Sequence, residues 1–313
     1  MAMKDIRSAV IVGAGAVGSA VASILHENEP GSVSVLADPS RMVRYRKDGF
    51  VINGKRLDFP LVSTSVPQST GEEPDLIILA VKCHHLSQAI TDMAPFVGDR
   101  TLIVSLLNGI TSEDELAAAF GRDKVPWAMI LGIDAIREGN ATNFSASGKV
   151  HFGDARNEKG SWSERVSRIA AFFGRVGIPY VVPEDMIRSL WYKFMINVGI
   201  NQASAVLRAP YGIFQRIPAA RSAMEAAMRE LIAVSRAKGT GLVEADLNSW
   251  YTTLQGFSPD SKTSMLQDVE AGRKTEVEAF AGTVVALGEE TGVPTPVNRF
   301  LFDLIRTMEQ GKG

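Results

Sequence analysis

Residues 8–12, Ser-Ala-Val-Ile-Val, run directly into Gly13-Ala14-Gly15-Ala16-Val17-Gly18, and residues 19–26 then read as a helix. No other feature restricts the fold so tightly. A short β-branched run suits a central parallel strand covered on both faces. Glycines at the first, third and sixth positions after it suit a turn lying beneath a pyrophosphate: Gly13 permits the tight turn, Gly15 lets the phosphate approach the backbone, and Gly18 lets the helix sit against the strand. The first-turn N–H groups, with Ala16 and Val17 among them, would meet the phosphates with the partial positive charge of the helix end. The pattern predicts a doubly wound, mostly parallel α/β domain that binds a dinucleotide.

The next strand, 32–37, ends at Asp38, twenty residues beyond Gly18. An acid there bonds a ribose 2′-hydroxyl and repels a 2′-phosphate, which favours NAD. Arg41 and Arg44 lie close enough in sequence to accept that phosphate instead, and Asp38-Pro39-Ser40 could equally cap a helix beginning near Arg41. Residues 49–59 read as a hairpin around Asn53-Gly54. Two further apolar runs follow, 75–81 ending in Lys82 and 101–107 ending in Asn108-Gly109. Open α/β sheets bind ligands at such strand ends; the plainer alternatives are a solvated lysine and a turn asparagine. Strand-like stretches 127–134 and 149–152, a helix over 163–176 and a strand over 178–182 complete an expected domain of residues 1–182.

Pro183-Glu184-Asp185 marks a change of pattern, and residues 183–313 read as an all-helical domain with helices over 186–207, 218–238, 243–254, 261–271, 276–288 and 296–310. In the first of these, Lys193, Asn197 and Asn201 recur at a spacing of four among large apolar neighbours, which stacks them on one helical face. Buried polar groups are normally paired, so the stripe faces either polar loops or a substrate. A second polar cluster runs through Thr263-Ser264-Met265-Leu266-Gln267-Asp268 and on to Thr275-Glu276; capping, with Thr275 as N-cap, is the simple explanation for Glu276.

The formal net charge of -2, from 33 basic and 35 acidic residues, gives no field that would draw nucleic acid or an anionic membrane. A single cysteine, Cys83, rules out an internal disulfide framework and suits a reducing compartment. The four histidines show no ligand spacing with it, so no metal is expected. With no membrane span or signal peptide visible, a cytoplasmic location is the expectation. A homodimer is compatible with the sequence.

The ordered set Gly13-x-Gly15-x-x-Gly18, Ala80-Val81-Lys82, Leu107-Asn108-Gly109, Lys193-x-x-x-Asn197-x-x-x-Asn201 and Ser264-Met265-Leu266-Gln267-Asp268 with Thr275-Glu276 resembles the ketopantoate reductase (2-dehydropantoate 2-reductase) family over nearly the whole chain. The resemblance implies an N-terminal Rossmann domain and an all-α C-terminal domain. It also implies NADPH-dependent reduction of ketopantoate to pantoate on the pantothenate pathway. It makes Lys193 the catalytic lysine and Glu276 the substrate-binding acid, also set against cofactor, which displaces the capping explanation. Asn108, Asn197, Asn201 and Ser264 become substrate or nicotinamide contacts, and Lys82 the lysine on the cofactor side. Two positions depart from the pattern. Many members end the second strand in an arginine, where this chain has Asp38 and then Arg41, so NADPH and NADH both stay open; and Tyr211 stands where members can carry an asparagine. In the implied reaction negative charge develops on the carbonyl oxygen, and Lys193 would supply the proton, from a cleft between the domains. Alternatives are a reductase of another branched 2-oxo acid and a cofactor-binding sensor without chemistry, against which the presence of both Lys193 and Glu276 argues. A methyltransferase using S-adenosylmethionine fits less well, since the glycines suit a pyrophosphate.

Overall fold

The structure is a computed structural model in which residues 5–65 and 73–311 are described. The chain divides after Met186 into two compact units. Residues 183–186 stay with the first unit because its backbone holds them: Asn157 N donates to Glu184 O, Met186 N donates to Ala155 O, and Arg156 pairs with Asp185.

In the first unit the chain forms β1 (Ala9–Val12), α1 (Ala16–Asn28), β2 (Val33–Ala37), α2 (Pro39–Asp48), β3 (Phe50–Ile52), β4 (Lys55–Leu57), β5 (Leu61–Ser63) and β6 (Leu76–Leu79). It continues through α3 (Leu86–Met93), β7 (Leu102–Ser105), α4 (Ser112–Phe120), β8 (Trp127–Ile133), β9 (Ile136–Glu138), β10 (Ala141–Asn143), β11 (Ser147–Gly153), α5 (Glu164–Arg175) and β12 (Tyr180–Val181). The main sheet has the order β5-β2-β1-β6-β7 and every pair in it is parallel. Alternate residues serve opposite faces, the two-residue period of a strand. Ile11, Val35, Ile78 and Val104 enter one core, and Val10, Val12, Ile77, Leu79 and Ile103 enter the other. Burial on both sides is why these strands read as unbroken apolar runs.

Strand order reverses at β1, which lies between β2 and β6, and that is where a doubly wound sheet opens a crevice at its carboxyl edge. Asn53 and Gly54 both take positive φ, 48° and 79°, and join β3 to β4 as the dipeptide predicts. Strands β5, β9 and β10 were not legible in the sequence. The first completes the main sheet, and the other two extend the β3–β4 hairpin into a four-stranded sheet of order β4-β3-β10-β9. The predicted strands over 127–134 and 149–152 appear as β8 and β11, antiparallel partners in a separate three-stranded sheet with β12.

The second unit is helical: α6 (Met186–Ile196), a wide π turn over Asn197–Asn201, α7 (Gln202–Leu207), α8 (Tyr211–Arg216), α9 (Pro218–Lys238) and α10 (Ala245–Gln255). Next come α11 (Ser264–Glu270), a second π turn over Glu278–Gly282, α12 (Thr283–Thr291) and α13 (Pro296–Gln310). The single helix expected over 186–207 is therefore two α segments joined by a wider turn, ending at Arg208 with φ of 48°. Helix α11 begins at Ser264 rather than 261 because Thr263 Oγ1 accepts from Leu266 N at 3.2 Å and caps it. Long α9 buries Met224, Ala227, Met228, Leu231, Ile232 and Val234 and packs against the first π turn. The contact is close: a Cβ on Gly199 would lie 2.5 Å from Met228 Cγ, so any larger residue would have to push the Met228 side chain aside. Among the described residues no helix is long and apolar enough to cross a membrane.

Candidate functional site

The glycine turn is wedged against the end of β6. Gly13 has φ of 96°, and a Cβ on it would sit 2.8 Å from Ala80 O; one on Gly18 would overlap Gly13 O. Gly15 differs, because the nearest atom to a Cβ there would be Ala80 O at 3.9 Å. There is room above it. As the N-cap of α1 it offers no side chain to the first turn, so the N–H groups of Ala16 and Val17 receive no side-chain cap. That open cradle with uncapped amides fits a dinucleotide's phosphates.

Asp38 caps α2, as the simpler alternative has it. Its Oδ1 accepts from Ser40 Oγ at 2.5 Å and from Arg41 N at 2.9 Å, and Oδ2 faces Arg41 Nε at 3.2 Å. The Ser40 hydroxyl first, with the Arg41 amide, holds the carboxyl below its usual pKa. The two residues that point to opposite cofactors are thus bonded to each other. Lys82 and Asn108 follow neighbouring strands: Ala80 N donates to Val12 O and Leu106 N to Leu79 O, both at 2.8 Å, so β1, β6 and β7 finish in line. Both residues follow the carboxyl edge of the sheet, and it is Ala80 and Val81, just before Lys82, that meet the glycine turn.

Linked to the end of β7 through Ser112 and Ser105 is a group that sequence reasoning missed. Glu113, in the first turn of α4, is 1% exposed. Its Oε2 accepts from Ser112 Oγ at 3.1 Å; Ser112 Oγ lies 2.8 Å from Ser105 Oγ, which accepts from Leu107 N at 3.4 Å. Burial pushes its carboxyl up to about 7. An acid in the first turn looks like an ordinary dipole partner in sequence, and nothing local shows that this one is enclosed.

In the second unit the polar stripe is present and buried: Lys193, Asn197 and Asn201 are 8%, 9% and 6% exposed. Lys193 lies in the last turn of α6, and the asparagines are the first and last residues of the π turn. Asn201 Nδ2 donates to Asn197 Oδ1 at 3.1 Å, while Asn201 Oδ1 accepts from Ser264 Oγ at 3.2 Å and from Met265 N at 3.4 Å. A backbone N–H can only donate, so Met265 fixes which way both amides point. Among the described residues Asn197 Nδ2 is buried with no hydrogen-bond partner. Leaving such a donor unmet costs roughly 1–3 kcal/mol, and a ligand oxygen would meet it.

Glu276 is 3% exposed and precedes the second π turn. Thr275 is not the N-cap the sequence suggests: the π turn begins at Glu278 with Val277 before it and no side-chain cap, Thr275 Oγ1 accepts from Val277 N at 3.3 Å in the preceding turn, and Glu276 itself is enclosed. The two π turns pack on each other, with the Phe194 and Phe280 rings 6.5 Å apart edge-on. Phe194 is Lys193's neighbour and Phe280 lies one turn beyond Glu276. Tyr211 opens α8, where its N donates to Ser261 O at 3.0 Å and its ring stacks on Phe257 at 4.8 Å. Burial pushes its hydroxyl up to about 12. Each unit thus gathers its own constellation: Gly13, Gly15, Ala16, Val17, Gly18, Asp38, Arg41, Lys82 and Asn108 in the first; Lys193, Asn197, Asn201, Ser264 and Glu276 in the second.

Comparison with known proteins bears on the fold and the family. Residues 9–157 match the family model described as ketopantoate reductase PanE/ApbA, and residues 185–309 match that of its C-terminal domain. The 2-dehydropantoate 2-reductase of Halobacterium salinarum is 27% identical, over 96% of this chain and 98% of the relative. The crystal structure of 2-dehydropantoate 2-reductase from Methylococcus capsulatus superposes with a TM-score of 0.80 at 27% identity, covering 98% of each chain. A D-mandelate dehydrogenase solved with NADH and anilino(oxo)acetate shares the fold with a TM-score of 0.84 at 23% identity, covering 97% of this chain and 99% of that one. The matched models span both units, and the chain belongs to the ketopantoate reductase family of nicotinamide-dependent oxidoreductases.

Proposed function

We propose that the protein reduces the ketone of 2-dehydropantoate to the alcohol of pantoate, with NADPH as the donor, in supply of pantothenate and coenzyme A. The observation that carries this reading is the buried row Lys193, Asn197 and Asn201, joined to Ser264, in which Asn197 Nδ2 has no hydrogen-bond partner among the described residues. The reduced nicotinamide supplies hydride to the carbonyl carbon. Lys193 gives its proton to the oxygen on which charge develops. Asn197 Nδ2 donates to an oxygen of the substrate, in an orientation set by Asn201 and the Met265 amide. Ser264, its single hydroxyl hydrogen turned from Asn201 Oδ1 to the ligand, holds the carboxylate, the two asparagines the carbonyl through their N–H groups, and Glu276 the substrate hydroxyl. The first-turn amides of Ala16 and Val17 take the pyrophosphate across Gly13, Gly15 and Gly18, with Lys82 and Asn108 at the same sheet edge for the cofactor.

A second reading, another 2-oxo acid on the same machinery, is favoured by one observation. Tyr211 and Phe257 stack beside the segment leading to Ser264, where a hydrogen-bonding amide would favour a hydroxylated substrate. Steady-state oxidation of NADPH and NADH with 2-dehydropantoate, beside a panel of branched and aromatic 2-oxo acids, separates the two. A kcat/KM of about 10⁴ M⁻¹s⁻¹ or more with 2-dehydropantoate is the expected result; a clear preference for an aromatic acid would displace it.

A further inference from the structure

A row of buried side chains ties the turn that carries Asn108 to a carboxyl on α4. Ser105, Ser112 and Glu113 are 0%, 5% and 1% exposed. Ser112 Oγ gives its one hydrogen to Glu113 Oε2 at 3.1 Å, so the 2.8 Å bond between the two serine hydroxyls takes its hydrogen from Ser105. Ser105 Oγ in turn accepts from Leu107 N at 3.4 Å, the amide just before Asn108. From Leu107 to Glu113 every hydrogen points the same way. An ionised carboxylate imposes that order, because it can only accept. A protonated one does not, since its own O–H can donate to Ser112 and turn the Ser112 hydrogen back towards Ser105.

Among the described residues no cation pairs with Glu113, and hydrogen bonds alone meet it: from Ser112, and from the amides of Glu113 itself and of Ala128 in β8. Strands β7 and β8 carry no titratable side chain, and α3, packed on α4, carries only Asp92, which accepts from Gln88 Nε2 at 2.8 Å. On α4 itself Asp114 pairs with Arg122 and adds repulsion at Glu113, and Glu115 is exposed. Hydrogen bonds to an ionised group are about twice as strong as neutral ones. We propose that Glu113 is a positioning residue: through Ser112 and Ser105 it holds the Leu107–Asn108 turn in the form that receives the nicotinamide half of the cofactor, and holds it more firmly as the carboxylate than as the acid. The inference rests on the reading above that Asn108 serves the cofactor. Because burial brings this carboxyl to about 7, the two forms interchange close to neutral pH.

The test compares the full-length wild type with Glu113→Gln, Ser112→Ala, the double variant and Asn108→Ala at pH 6 and pH 8. NADPH affinity is read from cofactor fluorescence, ADP affinity by calorimetry and stability by urea unfolding. ADP has no nicotinamide, so it reports any general disturbance of the glycine turn. Glu113→Gln should bind NADPH about as tightly as wild type at pH 6 and about three- to tenfold more weakly at pH 8, with ADP unchanged at both. Ser112→Ala should match that loss at pH 8, and the double variant should lose no more, since both changes cut one row. Stability runs the other way, because Glu113→Gln relieves a buried charge at pH 8; a purely structural role would not make the firmer protein the weaker binder. Parallel weakening of NADPH and ADP, or the same variant-to-wild-type ratio for NADPH at both pH values, would overturn the proposal. If Asn108→Ala binds NADPH as wild type does, the reading of Asn108 falls and takes the proposal with it, a result distinct from the other two.

Discussion

Asn201 points its amide nitrogen at the side-chain oxygen of Asn197, 3.1 Å away, and receives the Met265 N–H on its own oxygen at 3.4 Å. The pair therefore has one polarity, set from outside by a backbone group. Replacing Asn201 by alanine frees Asn197 to rotate and leaves the Met265 N–H and Asn197 Oδ1 unmet. The expected cost is about 1–3 kcal/mol in urea unfolding, with a raised KM for the oxo acid. An unchanged KM would remove the pair from substrate binding.

Lys193→Ala should lower kcat by about a hundredfold or more, the usual scale for an acid-base group. Nucleotide affinity, followed by reduced-cofactor fluorescence, should hold, because the glycine turn lies in the other unit. Turnover within a few-fold of wild type would exclude Lys193 as the proton donor.

The two central glycines should separate folding from binding. Gly18→Ala drives a methyl into Gly13 O, a backbone atom that cannot swing aside, and should cost about 1–3 kcal/mol or more of stability as well as cofactor affinity. Gly15 has φ of -78°, and a methyl there would meet protein only at 3.9 Å. Gly15→Ala should therefore keep the wild-type melting temperature while losing NADPH affinity, since its methyl stands where a phosphate must come. Loss of both properties together would place the phosphate elsewhere.

Glu113 ties stability to pH. Its native pKa, near 7, is raised above the ordinary 4.5, so between those values the native state holds a proton that the unfolded chain has released. Stability from this group is then full below pH 4.5 and is lost as pH rises through about 7, a swing of about 3 kcal/mol. Glu113→Gln cannot ionise and should flatten that part of the profile, gaining on wild type at pH 8. Parallel profiles in urea unfolding would show that Glu113 is ionised in the native state.

The parts of the fold legible in sequence were those written in local pattern. The runs ending at Val12, Leu79 and Ser105 announce themselves because both faces are buried, and Gly13, Gly15 and Gly18 because the turn admits nothing else. Strands β5, β9 and β10 have three residues each, too few to show a period, and owe their pairing to partners distant in sequence. The stripe of Lys193, Asn197 and Asn201 was visible as spacing, but its widened turn was not, since the same letters suit a plain α-helix. Glu113 was hidden because its significance lies in what encloses it.

Gly199 sits inside the turn that carries both asparagines and meets Met228 of α9 with no space to spare. The two helices are thus geared together. The only atoms that crowd Gly199 belong to the Met228 side chain, so a bulkier or stiffer apolar residue at 228 would press directly on the turn that carries Asn197 and Asn201. Met228 is the tooth of that gear, and an unbranched, pliant side chain there lets the placement of the two asparagines be retuned by exchanging one apolar residue for another while every polar group keeps its identity.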